Sequence, residues 1–194
     1  YYAEPGANIL VAAPSNGDGE SITTTDIEGS GGYTSNDYTD TFGGTSSATP
    51  LVSGVIALML EANSNLTWRD VQHILVETSR MNDASDSSWT TNGDGHLVSH
   101  KYGFGVVDAT AAVLLSENWT SVSEELNVSS GMQTVDLDIP DNSGAPVNVS
   151  FNVTEALHLE NVDIFVDIDH TFRGDLEMIL TAPSGMQSVL SEKH

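Results

Sequence analysis

Gly43-Gly44-Thr45-Ser46-Ser47-Ala48-Thr49-Pro50, followed by the apolar run 51–62, is the stretch on which the reading of this chain turns. Small residues open it and a proline closes the motif. Behind the proline, Val52, Val55, Ile56, Leu58, Met59 and Leu60 leave almost no polar face. A helix that is apolar nearly all round is a buried one. Proline is tolerated in the first helical turn, where its missing N–H costs little, so the helix is predicted to start near Ser46. A hydroxyl then sits at the N-terminus of a buried central helix, where the helix dipole and the free N–H groups of the first turn favour negative charge developing nearby. A serine in that place serves either as a nucleophile or as a plain helix N-cap.

The rest of the composition narrows the setting. At 194 residues the chain has room for one large or two small domains. Five Lys+Arg against 28 Asp+Glu give a net charge of −23, which argues against nucleic acid and anionic membrane surfaces, since both call for basic patches. The acids are dispersed among apolar segments, the pattern of a solvated acidic surface and not of an acidic tail. Such a surface suits a protein secreted into salty water, and it attracts basic substrates and divalent cations. There is no cysteine, so no disulfide framework holds the fold. The chain opens at Tyr1 with no charged-then-apolar leader, so no signal peptide is read. With apolar runs of at most about a dozen residues, no membrane span is predicted. Formal glycosylation sequons begin at Asn65, Asn118, Asn127, Asn148 and Asn152, and matter only in a eukaryotic source.

In chain order, Ile9 to Ala13 reads as a short strand after the turn at Pro5-Gly6. Residues 16–43 are rich in Gly, Ser, Thr and Asp around one β-like core, Ser21–Thr25, and Asp37 and Asp40 read as solvated loop carboxylates. A second helix follows Asn63-Ser64-Asn65. Thr67 with Asp70 forms a capping-box pattern, and Trp68, Val71, Ile74 and Leu75 make its apolar stripe, with His73 near it. Residues 79–98 read as a surface loop whose Asp83, Asp86 and Asp94 fit no 12-residue calcium loop. Asp108 is a good N-cap for a helix from Ala109 to Leu115. Near Ser116 the period changes to two: Val147, Val149, Phe151, Val153; then Val162, Ile164, Val166, Ile168; then Leu176, Met178, Leu180. Short alternating runs separated by Asp-Asn-Ser-Gly and Pro-Ser-Gly turns predict an antiparallel β-sandwich.

The octapeptide resembles the nucleophile motif of subtilisin-like serine proteases, Gly-Thr-Ser-x-Ala-(Ser/Thr)-Pro, with Ser46 in the nucleophile position and Ser47 in the variable one. The likeness continues through Leu60–Gln72 and through His100-Lys101-Tyr102-Gly103-Phe104-Gly105 and Asp108-Ala109, and there it is similar to the kexin and furin branch. Asp167–Leu176 and Leu180–Gly185 resemble the P domain (Homo B domain) that follows the protease in convertases. The resemblance implies an α/β subtilisin-like fold: the C-terminal part of a parallel-sheet protease domain over residues 1–116, then part of an all-β, jelly-roll-like P-domain sandwich over 117–194. It implies a piece of a longer protein, with the catalytic Asp and His and the oxyanion Asn before Tyr1. That order, Asp then His then Ser, leaves His100 a packing or surface residue. Glu4 matches a calcium ligand below the specificity pocket, a role that hard carboxylate oxygen can fill, and otherwise it is an exposed turn glutamate. Animal convertases contain disulfides, so the lack of cysteine points to a bacterial relative.

The chemistry implied is peptide hydrolysis through an acyl-enzyme. Ser attacks the scissile carbonyl, His takes its proton, and Asp orients the His. The expected protein is a calcium-dependent, secreted or cell-envelope serine endopeptidase acting on protein or peptide substrates, cleaving after basic residues, with its protease and P domains packed on each other. These residues alone are expected to be inactive. Two readings from other classes stay open: a pseudoprotease serving as a binding module, and an interaction module formed by the P domain and its linker.

Overall fold

The computed structural model describes residues 5–140 and 145–193. Glu4 and the predicted Asp141–Gly144 turn lie outside the described residues. Two compact units emerge. One runs to Val122 and also takes in Glu177–Glu192; the other holds Ser123–Leu176 with Lys193.

Three helices make the centre of the first unit: α1 (Thr45–Ala62), α2 (Trp68–Thr78) and α3 (Ala109–Ser116). Met59 of α1, Ile74 and Leu75 of α2 and Ala112 of α3 meet in one core with Leu66 and Val71. Leu10, Val11 and Val107 pack on it from the loops. Full burial of each large side chain is worth roughly 1.5–3 kcal/mol, so this cluster is the main source of the unit's stability. The capping box at α2 forms as read. Thr67 Oγ1 accepts the Asp70 N–H at 3.2 Å, and Asp70 Oδ2 accepts the Thr67 N–H at 2.8 Å. Asp108 caps α3 by accepting the Ala111 N–H at 3.0 Å, and Arg80 Nε holds its other oxygen at 2.9 Å. Trp68 departs from the predicted stripe and is 64% exposed, because it is the first residue of α2 and stands outside the face that meets α1 and α3.

One expectation about α1 is corrected. Of its residues only Ser47 and Met59 are buried, while Leu51, Leu58 and Leu60 are exposed. A pattern states what a helix can bury, and the described residues cover only the side that meets α3 and the core. The helix begins at Thr45, next to the predicted start at Ser46, and its 18 residues meet a test of length and composition for crossing a membrane that the core helix of a soluble protein also meets.

β1 (Ile22–Thr25) and β2 (Tyr38–Phe42) form an antiparallel hairpin leading to α1. Asp26 closes the connection, accepting the N–H groups of Ile27 and Thr34 at 2.8 Å each. β3 (Thr90–Thr91) and β4 (Leu97–Val98) pair within the predicted 79–98 loop. That segment is tied further by Lys101 Nζ on Asp86 at 2.7 Å and by Trp89 stacked on Tyr102 at 5.5 Å. The Tyr-Gly-Phe-Gly segment threads between two backbones. Phe104 N–H donates to Leu10 O at 2.8 Å, Ala12 N–H to Gly105 O at 2.8 Å, and Arg80 and Val106 exchange bonds at 2.9 and 2.8 Å. Gly105 sits at φ 121°, and a Cβ there would run into the Arg80 carbonyl, so only glycine fits. Ala12 and Val106 make the one parallel bridge among the described residues, all that is seen of the expected parallel sheet.

β5 (Met178–Thr181) and β6 (Gln187–Ser191) pair antiparallel around the predicted Pro-Ser-Gly turn. In the second unit the runs 147–153 and 162–168 carry no strand among the described residues, and Phe151, Val153, Phe165 and Val166 are exposed. The expected sandwich is not found there. Alternation reports which side chains want one face, whereas a strand needs a partner for its N–H and C=O groups. Here those runs meet none.

Candidate active site

The octapeptide builds a helix N-terminus held from behind. Gly44 is the N-cap, at φ 79°, a conformation that favours glycine. Its N–H donates to Asn16 Oδ1 at 2.6 Å. Its carbonyl accepts the Ser15 hydroxyl at 2.6 Å, the Ser47 hydroxyl at 2.9 Å and the Ser47 N–H at 3.1 Å. Ser15 Oγ and Ser47 Oγ also lie 2.9 Å apart. Ser47 is 1% exposed and fully committed to this knot.

Ser46 is the opposite. It is the second helical residue, exposed, and among the described residues its hydroxyl has no hydrogen-bond partner. Its N–H is one of the first-turn donors that a helix leaves unbonded. A hydroxyl and a free N–H therefore face solvent from one residue, where helix charge favours an oxyanion. Pro50 does not lie in the first turn as predicted; it is the sixth residue of α1. The bond it cannot make is the one to the carbonyl four residues back, which is that of Ser46. So Pro50 withholds the regular helix donor from the Ser46 carbonyl.

No histidine lies within hydrogen-bond reach of Ser46 among the described residues. His100 is elsewhere in the unit, with Nε2 3.3 Å from Ser188 Oγ and its carbonyl accepting the Gly6 N–H at 2.8 Å. Glu4 lies outside the described residues. Among the described residues no three His, Asp or Glu come together as a metal site. Asp83 and Asp86 are engaged with Ser85, Ser88 and Lys101.

Sequence reasoning missed Ser15 and Asn16. The Pro14-Ser15-Asn16 cluster reads as an ordinary turn. It gives no sign that both polar side chains reach Gly44, about thirty residues on.

A solvent-facing serine thus stands on a helix N-terminus, backed by the bonded Gly44 turn. The chain belongs to the subtilase family, whose model matches residues 4–105, and the proprotein convertase P-domain model matches residues 159–194. The chain is 40% identical over 201 residues to rat (Rattus norvegicus) proprotein convertase subtilisin/kexin type 6, covering 100% of this chain and 21% of that protein. It is 37% identical over 199 residues to human (Homo sapiens) furin, covering 98% of this chain and 24% of furin. It thus spans between about a tenth and a quarter of the length of the curated relatives it matches. A serine protease of Aeromonas sobria superposes with a TM-score of 0.84 at 25% identity, covering 98% of this chain and 40% of that one; the same protease has also been solved with a chaperone.

Proposed function

We propose that the whole protein is a serine endopeptidase and that Ser46 is its nucleophile. The observation that carries this reading is the contrast within the motif: Ser46 exposed and unclaimed, Ser47 buried and bonded. In the reaction Ser46 Oγ attacks the carbonyl carbon of the scissile amide while a base takes its proton. The Ser46 N–H helps to hold the oxyanion, and the amine leaves with a proton before water releases the acyl group. Kexin-like cleavage after basic residues belongs to the same reading, supported by the convertase relatives and by the net charge of −23.

Further parts of the proposal rest on family likeness: a structural calcium with Glu4 among its ligands, a secreted or cell-envelope location, and a protease region (1–116) and P region (117–194) that support each other; a bacterial source rests on the absence of cysteine. A jelly-roll-like sandwich in the P region is supported by the P-domain match and by the alternating runs.

The 194 residues by themselves are inactive on this reading, because no base among the described residues reaches Ser46. That same observation favours a second reading, a non-catalytic binding protein on the same scaffold. A serine-directed phosphonate separates them. In the whole protein, peptide mapping should place the label on Ser46 and on no other serine. Label on Ser47 or Ser53 overturns the assignment, and no label at all favours the binding protein.

A further inference from the structure

The chain carries the tetrapeptide Asn-Gly-Asp-Gly twice, at residues 16–19 and 92–95, and these hold its two Asn-Gly steps. An asparagine before glycine is open to attack on its own side chain. The next backbone nitrogen can bond to Cγ and close a five-membered ring, and glycine has no Cβ to stand in the way. By sequence the two sites are equal. The fold makes them different. At the first, the Gly17 N–H donates to Glu20 O at 3.0 Å, and the Glu20 N–H donates back to Gly17 O at 2.8 Å. Asn16 is tied as well, its Oδ1 accepting the Gly44 N–H at 2.6 Å. At the second, the Gly93 N–H has no hydrogen bond among the described residues. Asn92 Oδ1 there accepts two N–H groups, from Asp94 at 3.0 Å and from His96 at 2.9 Å. Asn16 is the more exposed of the two asparagines, so access to water does not separate them; bonding does.

We propose that Asn92 is a site of intramolecular deamidation and that Asn16 is protected from it. Gly93 N gives its proton to a solvent base and bonds to Asn92 Cγ. Negative charge gathers on Oδ1, where the N–H groups of Asp94 and His96 already stand as donors. The Cγ–Nδ2 bond then breaks, and the amide nitrogen takes up a proton and leaves as ammonia. Water opens the resulting succinimide at either carbonyl carbon, and nothing is oxidised or reduced. Opening at Cγ leaves aspartate. Opening at the backbone carbon leaves isoaspartate, with the main chain rerouted through the side chain. Either product adds a negative charge beside Asp94. Isoaspartate also lengthens the backbone at the turn between β3 and β4, where the Gly95 N–H donates to Asn92 O at 3.2 Å. For Asn16 to react in the same way, the Gly17–Glu20 bond and the bond to Gly44 must open first. The second of these holds the turn behind Ser46, so the bonding that fixes that turn also preserves it.

The test is to age the unaltered chain at neutral pH, folded and in urea, and to follow conversion at each asparagine by peptide mapping with mass spectrometry. In the folded chain Asn92 should convert at least about tenfold faster than Asn16, the factor expected when two hydrogen bonds of ordinary net strength must open first. In urea the two rates should converge, because the two tetrapeptides are the same. Isoaspartate should accompany aspartate among the products at Asn92. Gly93→Ala checks the route. A Cβ added there meets nothing within 4 Å, and the backbone is outside the left-handed region, so the turn should keep its shape while the attack is hindered. The unfolding midpoint should stay where it is, and conversion at Asn92 should slow severalfold. Equal rates at the two asparagines in the folded chain, or a gap that persists in urea, would overturn the proposal, as would an undiminished rate in Gly93→Ala. The two sites are compared within one unaltered chain, so the matter is decided even if the variant fails to fold.

Discussion

Ser46 and Ser47 share a peptide bond and almost nothing else. Ser47 Oγ and Ser15 Oγ have two protons between them for three close contacts, two to the Gly44 carbonyl and one to each other. Removing the Ser47 hydroxyl takes one donor from the partly buried Gly44 carbonyl and one neighbour from Ser15 Oγ, at about 1 kcal/mol. We therefore expect Ser47→Ala to lower the denaturation midpoint of this chain clearly. Ser46→Ala should stay within about 0.5 kcal/mol of the unaltered chain, as exposed, unbonded positions do. Equal effects in paired urea titrations would show that the knot is not rigid. The motif identified which serine to watch from sequence. The knot behind it was not legible, because its partners come from a turn far back in the chain and hydrogen-bond direction leaves no mark on residue order.

At the scale of elements, the N-terminus of α2 carries the most consequential contact. Asp70 is fully buried. Its Oδ2 accepts the Thr67 N–H and hydroxyl at 2.8 Å, while Oδ1 accepts the Trp119 indole N–H and the Val122 N–H at 2.9 Å. Burial pushes its carboxyl pKa up, but these donors together outweigh burial and hold it well below the ordinary 3.8. A group with a depressed folded pKa contributes stability that is present above about pH 3.8 and is lost as pH falls through the folded value. We expect the chain to lose stability below that pH. Asp70→Asn should be destabilised at neutral pH by about 2–4 kcal/mol, since an amide sets its own N–H groups against donors, and should lack this share of the acid sensitivity. Denaturation at pH 7 and pH 3, followed by tryptophan fluorescence, checks both; an unchanged acid response in the variant would refute the assignment. Half of this clamp was legible, because the capping box is local. The half that fastens Trp119 and Val122 was not. The burial of α1 failed for a related reason: its composition was legible, its coverage was not.

For the whole molecule, the outstanding quantity is the net charge of −23. Self-repulsion of that size opposes compaction, and salt screens it, with a Debye length falling from about 30 Å at 0.01 M to 3 Å at 1 M. Raising sodium chloride across that range should stabilise the chain by about 1 kcal/mol or more, read as roughly 2–4 °C in the unfolding midpoint. A flat or falling midpoint would show that the acids are already paired. Fold class was legible at this scale through motifs, and the P-region strands were not, since alternation cannot name its partners. One pairing described above also sets a clock. Ala12 bridges Val106, and Phe104 donates to Leu10, so segments far apart in the chain meet beside the core around Ile74. Closing so wide a loop costs entropy before any contact repays it. On the ribosome, Leu10 and Ala12 therefore have no partner here until the Tyr-Gly-Phe-Gly segment emerges.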